Sequence, residues 1–221
     1  ELDREWAEKM HEQRVRPYSQ YLLVKEGKPY WRLAALTEEA FCHILQPMMR
    51  KDSLCLAQKG YEVGLGKFSI LKKDSFQGLE ERFWTGTDKV HHIDLEFLTS
   101  ASFKRNGEYK IFPELPLVFN NLIRKWNVYS DSMILGEERL GDKLAESMCI
   151  TDYRLHTHPF SVGGRRIRAF RGNIRLGLFK DDITRRMASM LAAFADYAGI
   201  GIKTAMGMGA VESDISYYQK K

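Results

Sequence analysis

Apolar residues recur along this chain with two different periods, and the switches between them outline the elements. Leu2, Trp6 and Met10 return every four residues, which predicts an opening helix. Residues 18–25 and 30–36 read as strands flanking the turn residues Glu26, Gly27, Lys28 and Pro29, a hairpin pattern. Thr37 suits an N-cap, with Glu38 and Glu39 placed for the helix dipole. The helix that follows carries Phe41, Ile44, Leu45 and Met48 at i, i+3, i+4, i+7, with Pro47 near its end. Short strands are expected around Cys55 and over residues 68–71. The polar, Gly-containing stretch 72–87 reads as the junction between two domains.

A second unit begins at Val90. There Ile93, Leu95 and Phe97 alternate with His92, Asp94 and Glu96, the period of a half-buried strand. A helix from about Pro116 places Val118, Phe119, Leu122, Ile123 and Trp126 on one face. Strands are expected over residues 149–160 and 167–179. Asp181 or Asp182 caps a helix with Ile183, Met187, Met190, Leu191 and Phe194 in one stripe, and a last strand falls near 208–211. This order, strand–helix–strand–strand–helix–strand, is that of the ferredoxin-like βαββαβ fold. The first unit shows the same order without its opening strand. The sequence therefore predicts an α+β protein of two tandem ferredoxin-like domains, residues 1–88 and 89–221. A missing strand leaves raw sheet edges, so the expectation is that residues precede Glu1 or that another element covers the gap.

Composition narrows the class. Of 221 residues, 44% are hydrophobic and 29% charged, which argues against a largely disordered chain. No apolar run approaches the roughly 18–20 residues that span a bilayer, so no membrane helix is expected. The N-terminus is charged and lacks the apolar core of a signal peptide. Cys42, Cys55 and Cys149 are odd in number and far apart, which favours buried, reduced thiols in the cytoplasm over a disulfide framework.

The net charge of +5 is unevenly spread. Between Thr151 and Lys180, Asp152 is the sole acid, whereas Arg154, Arg165, Arg166, Arg168, Arg171 and Arg175 are basic. Guanidinium forks suit phosphate, and Phe160, Phe170 and Phe179 interleave as candidate stacking platforms. The bland alternative is a solvated sheet face with core phenylalanines. Gly199, Gly201, Gly207 and Gly209 surround Lys203 in the run GIGIKTAMGMG. Backbone amides freed by glycine can point at an anion; the competing reading is a tight helix-to-strand turn. The spacing matches neither a Walker loop nor a Rossmann turn.

These residues carry a resemblance. The pattern GIGIKTAMGMGAVE resembles the glycine-rich signature of the CRISPR precursor-RNA processing endoribonucleases, members of the repeat-associated mysterious protein superfamily. The stretches LEFLTSASFKRNGEYKIFP leading into LVFNNLIRKWN, AFRGNIRLGL and PYSQYLL fit the same family, over most of the chain from about Met10. The resemblance implies tandem ferredoxin-like domains that cut CRISPR repeat RNA into guide units, leaving 2′,3′-cyclic phosphate and 5′-hydroxyl ends. It makes His11, in the stretch HEQRVRPYS, the candidate catalytic histidine, with Arg16 where several members carry lysine. Some members add a tyrosine from the first helix; Tyr18 and Tyr21 are weak substitutes here. Lys104, Arg165, Arg166, Arg168, Arg171, Lys203 and the four loop glycines are the expected RNA contacts. Partners are repeat RNA and other CRISPR-associated proteins, as an effector complex or as a fusion with reverse transcriptase and integrase. A non-catalytic RNA-binding subunit is the alternative from another class.

The chemistry is coherent without the resemblance. RNA carries its own nucleophile, the 2′-OH, so cleavage needs a base, an acid and a cation for the phosphorane. Histidine and arginine supply these without a metal. Taken alone, His11 at a helix end reads as a surface or capping residue. His91 and His92 fall on opposite strand faces, and His156 and His158 share a face without a third ligand, so no metal or other cofactor is expected. His43 reads as structural.

Overall fold

The structure, a computed structural model, describes residues 4–56, 59–86 and 88–218, and in the first helix the side chains of Arg4, Glu5, Ala7 and His11 lie outside the description. Leu2 also falls outside the described residues. The chain opens with α1 (Arg4–Glu12), followed by the hairpin β1 (Tyr18–Lys25) and β2 (Lys28–Ala35). Glu26 and Gly27 take φ of 52° and 74°, the left-handed pair that a two-residue hairpin turn requires. Thr37 caps the next helix by accepting from the Ala40 amide. That helix continues over residues 38–48 as α2 (Glu38–Ala40), a π-helical turn (Phe41–Leu45) and α3 (Gln46–Met48). Trp6 and Met10 of α1 bury against Ala40 and Ile44 in a small core of their own.

The second unit contains a four-stranded antiparallel sheet in the order β12–β5–β11–β8. Its strands are β5 (Val90–Ala101), β8 (Met148–Thr157), β11 (Phe170–Leu178) and β12 (Val211–Tyr217). Helices α5 (Leu115–Tyr129) and α7 (Asp182–Ala198) supply the two crossovers. This is the ferredoxin-like 4-1-3-2 order. Ile93, Leu95 and Phe97 alternate inward, as their period predicts, and Val118, Phe119, Leu122, Ile123 and Trp126 all bury. Trp126 meets Phe194 edge-on at 5.3 Å, joining the two helices over the sheet.

The first unit shows the same order without an opening strand among the described residues. In 4-1-3-2, strand 1 is the only neighbour that strand 4 has. Without it, the hairpin of strands 2 and 3 parts from strand 4. Among the described residues β1 pairs with β2 alone, and β3 (Ser53–Leu56) pairs instead with β4 (Tyr61–Gly64). The chain is thus α+β, with two tandem ferredoxin-like units, the first without an opening strand among the described residues.

Several local expectations change. Residues 68–71 are not a strand; Gly60, at φ 67°, turns the chain straight back, so Tyr61–Gly64 pairs with β3. The polar junction holds a helix, α4 (Phe76–Thr85), capped by Ser75 through the Gly78 amide. Leu79 and Phe83, four apart, bury beside α7, and Arg186 Nη1 donates to the carbonyls of Phe83 and Gly86 at 2.7 and 2.5 Å. Those bonds satisfy the C-terminal carbonyls that a helix end leaves open. The last strand starts at Val211, because the residues before it belong to a folded loop. Two small hairpins were not foreseen: β6 (Phe103–Arg105) with β7 (Glu108–Lys110), and β9 (Phe160–Val162) with β10 (Arg165–Ile167). Between them lies a short helix, α6 (Leu140–Ala145). Cys42, Cys55 and Cys149 are free and exposed rather than buried; Cys55 lies on a hairpin with no buried residue in either strand. Ile183, on the expected stripe of α7, is exposed as well.

Removal of the Phe83 ring by Phe83→Ala should lower stability by about 3–5 kcal/mol in urea denaturation. A loss under about 0.5 kcal/mol would show that residues 72–87 are a loose linker.

Candidate nucleic-acid interface

Between α7 and β12 the chain folds into a loop that depends on left-handed backbone. Gly199, Gly201, Gly207 and Gly209 have φ of 65°, 92°, 100° and 65°, and Lys203 joins them at 55°. Three of these four glycines do not face solvent. A Cβ on Gly201 would lie 2.5 Å from the Ser102 carbonyl oxygen, and one on Gly209 would overlap the Ile200 carbonyl. Gly199 is buried beside Thr204. These three permit close packing of backbone on backbone. Gly207 alone meets nothing nearer than Phe160, at 3.7 Å, and is half-buried.

The loop is tied to the end of β5. Ile202 donates to the Ser102 carbonyl at 3.0 Å and Gly209 to that of Ser100 at 2.9 Å. Helix α5 holds it from the other side. Asn121 pairs with Gly201 in both directions, accepting from its amide at 2.9 Å and donating to its carbonyl at 3.4 Å. Lys125, one turn on, donates to the carbonyls of Ala198 and Gly199, each at 2.9 Å, and to Thr204 Oγ1 at 3.3 Å. The first unit bears on the same loop: Gln20 Nε2 donates to the Ala205 carbonyl at 2.7 Å, and Ser19 Oγ to that of Tyr197 at 2.5 Å.

Held this way, Lys203 is exposed at the mouth of a cleft with a volume of about 330 Å³. Lys104 and Tyr109 line it from the β6–β7 hairpin, Val162, Arg165 and Ile167 from β9–β10, and Ile202 from the loop. Three cations thus converge over an apolar floor with no carboxylate among the lining residues. Among the described residues none of the three is ion-paired. Two left-handed turns bring them there, Asn106-Gly107 and Gly163-Gly164.

The other expected contacts do not join this cleft. Arg166 alternates with Arg165 and Ile167 on β10 and so faces away. Arg168 is exposed between β10 and β11. Arg171 stands opposite His156 on the outer face of the large sheet. Arg175 forms a fork with Asp94, at 2.8 and 2.9 Å, and that fork holds the Asp94 carboxyl below the usual range. Around the pair lie Glu96, Asp152, Glu212 and Asp214. This half of the sheet face is acidic, so it repels phosphate. Phe170 is 1% exposed in the main core, and Phe160 packs on Ile167 and Met208, so neither is an open stacking platform.

At the other candidate centre, His11 is the penultimate residue of α1, with its side chain outside the description. Arg16 Nε donates to the Met10 carbonyl at 2.7 Å, which anchors the guanidinium at the C-terminus of that helix. The Tyr129 hydroxyl donates to the Val15 carbonyl. Burial pushes the Tyr129 phenol up to about 12, offset in part by the nearby Arg16 charge. Tyr18 packs on Trp6 and Tyr21 is buried with its hydroxyl bonded to Arg32, so Tyr129 is the tyrosine beside this turn. Arg16 precedes Gln20 by four residues, at most about 14 Å of extended chain. The α1 turn thus lies a few residues along the chain from the contact that Gln20 makes with the glycine loop.

The remaining histidines are placed as follows. His91 and His92 do not diverge: a bulge at the partner residues Ser216 and Tyr217 breaks the alternation, and their Nδ1 atoms lie 2.7 Å apart. His158 Nδ1 is 2.7 Å from Ser100 Oγ, and its ring is 6.2 Å from that of His156. His43 stacks on Trp6 at 5.2 Å. Among the described residues no group of three acidic, histidine or cysteine side chains could hold a metal.

Sequence reasoning missed Lys125 and Tyr129. Lys125 follows Val118 by seven residues and Leu122 by three, a spacing that already sets it at the margin of the apolar stripe.

Fold and cleft define a tandem ferredoxin-like protein with a cation-lined groove beside a glycine-rich loop. Residues 95–211 match the family described as CRISPR-associated endoribonuclease Cas6. A CRISPR-associated endoribonuclease Cas6 of Streptococcus thermophilus is 27% identical over 96% of this chain and 86% of its own length. A solved Cas6 (TTHA0078) product complex superposes with a TM-score of 0.79 at 21% identity, over 96% of this chain and 88% of that one. A chain of a partial Cas6-RT-Cas1–Cas2 complex does so with a TM-score of 0.53 at 14% identity, over 92% of this chain and 40% of that one. The chain belongs to the Cas6 family of CRISPR-associated endoribonucleases. It is thereby an RNA-cleaving enzyme of CRISPR RNA processing. Among the described residues no helix is long and apolar enough to cross a membrane.

Proposed function

We propose that this protein cuts CRISPR repeat RNA without a metal, by attack of a ribose 2′-OH on the adjacent phosphorus. The 5′-oxygen leaves, giving a 2′,3′-cyclic phosphate and a 5′-hydroxyl. His11 transfers a proton as general acid or base, and Arg16 stabilises the phosphorane charge. What supports the reading is that Arg16, anchored on Met10, stands four residues before Gln20, whose side chain bonds the loop that presents Lys203. RNA runs from that turn into the cleft of Lys104, Arg165 and Lys203. Its phosphates meet the three cations, and an unpaired base lies against Tyr109 and the apolar floor. Arg166, Arg168 and Arg171 extend the positive track outside the cleft, and Gly207 lets backbone approach RNA there. Gly199, Gly201 and Gly209 act through the loop's shape. The two units, residues 1–88 and 89–221, hold the RNA between them. The exposed, unpaired thiols suit the reducing cytoplasm.

A second reading has the same domain working inside a larger assembly with reverse transcriptase and integrase parts. The likeness to a chain of the partial Cas6-RT-Cas1–Cas2 complex supports it. The intact mass of the native polypeptide separates the two readings.

On a repeat RNA, His11→Ala should slow cleavage by about 100-fold or more while RNA binding persists. EDTA should leave the wild-type rate unchanged, and the 5′ fragment should end in a cyclic phosphate. Undiminished cleavage by the variant would remove His11 from the chemistry.

Joint replacement of Lys104, Arg165 and Lys203 by alanine should weaken RNA binding. It should also flatten the plot of log affinity against log salt by about 2, as expected for three lost single-strand phosphate contacts. Arg175→Gln, at a residue already paired with Asp94, should leave that slope unchanged. An unaltered slope in the triple variant would place the RNA elsewhere.

A further inference from the structure

Lys125 is 5% exposed, and no carboxylate pairs with it among the described residues. Burial of a cation without an opposite charge is costly, and burial together with repulsion from Arg124 pulls its pKa down to about 7. The site compensates with oxygens. In its protonated form three N–H groups meet three acceptors, the carbonyls of Ala198 and Gly199 and the hydroxyl of Thr204. The two carbonyls close α7, where the helix dipole is negative. A methionine there would fill the space at lower cost, yet it would free all three oxygens at once. The cation therefore serves the loop it grips.

That grip has a direction. Asn121, four residues earlier on the same face of α5, pins Gly201. Lys125 pins Gly199 behind it and Thr204 ahead of it. Lys203 lies between Gly201 and Thr204 in the left-handed region, at φ 55°, a conformation that a non-glycine residue holds only when its surroundings impose it.

We propose that Lys125 is a positioning residue for RNA binding, a buried ammonium that fixes the glycine loop on both sides of Lys203 and so aims Lys203 into the cleft. The proposal rests on the reading of that cleft as the RNA site. Lys125 touches no RNA; it acts through Lys203.

A double-mutant cycle tests this. Binding of a fluorescent RNA stem–loop is measured for the wild type, Lys125→Met, Lys203→Ala and the pair, with thermal melting to establish that each is folded. Lys125→Met should weaken binding about tenfold. Lys203→Ala should weaken the wild type but change little in the Lys125→Met background, because the side chain it removes is already misplaced. Additive losses would overturn the proposal. Amide exchange over residues 200–206, without RNA, should speed up in Lys125→Met, and an unchanged pattern there would overturn it too. That readout keeps the two failures apart: faster loop exchange with no RNA effect from Lys203→Ala refutes the RNA site, and with it the aiming of Lys203 at RNA. If Lys125→Met does not fold, Thr204→Val removes one acceptor alone, and the same cycle and exchange outcomes apply to it.

Discussion

Backbone lies on backbone where the loop after α7 crosses the end of β5, and no side chain fits between them. Gly201 rests against the Ser102 carbonyl and Gly209 against that of Ile200. The geometry around the cleft follows from that contact. It sets the height of Lys203 above the sheet, places Ile202 on the floor and leaves Ala205 facing Gln20 of the first unit. Glycine permits the approach; Asn121 and Lys125 make it specific by satisfying the carbonyls and amides that so tight a turn would otherwise bury unpaired.

The same arrangement sorts charge. Outer strand positions at Asp94, Glu96, Asp152, Glu212 and Asp214 make much of the large sheet's open face acidic, with Arg175 locked among them. Sheets of related topology often stack bases on that face. Here that face carries carboxylates, which repel a polyanion, whereas the cleft of Lys104, Arg165 and Lys203 is positive. The net charge of +5 understates the local field, because the two signs are separated on the surface.

Much of this was legible in the sequence, and the failures have physical causes. The alternation of Ile93, Leu95 and Phe97 and the stripe from Val118 to Trp126 read correctly because burial of one face dictates them. The missing strand followed from element order alone. Helix α4 was hidden because the apolar residues that anchor it, Phe76, Leu79 and Phe83, sit within a stretch whose flanks are polar. The arginine run was read as one surface, although strand alternation sends Arg165 into the cleft and Arg166 away from it. In the glycine run, three of the four positions pack against neighbouring atoms of the fold rather than facing solvent. Glycine's value there is the space a Cβ would occupy, and at Gly201 that space is set by Ser102, far away in the sequence. The spacing of Lys125 from Val118 and Leu122 sets it at the margin of the apolar stripe, but nothing local shows that carbonyls at the end of another helix meet it there.

Amide hydrogen exchange with and without repeat RNA tests the central claim, that the loop and two hairpins build the RNA surface, most directly. Protection on RNA binding should concentrate in residues 103–110, 160–168 and 200–207. Protection centred instead on the open face of β5 and β12, with those three segments unchanged, would contradict the account.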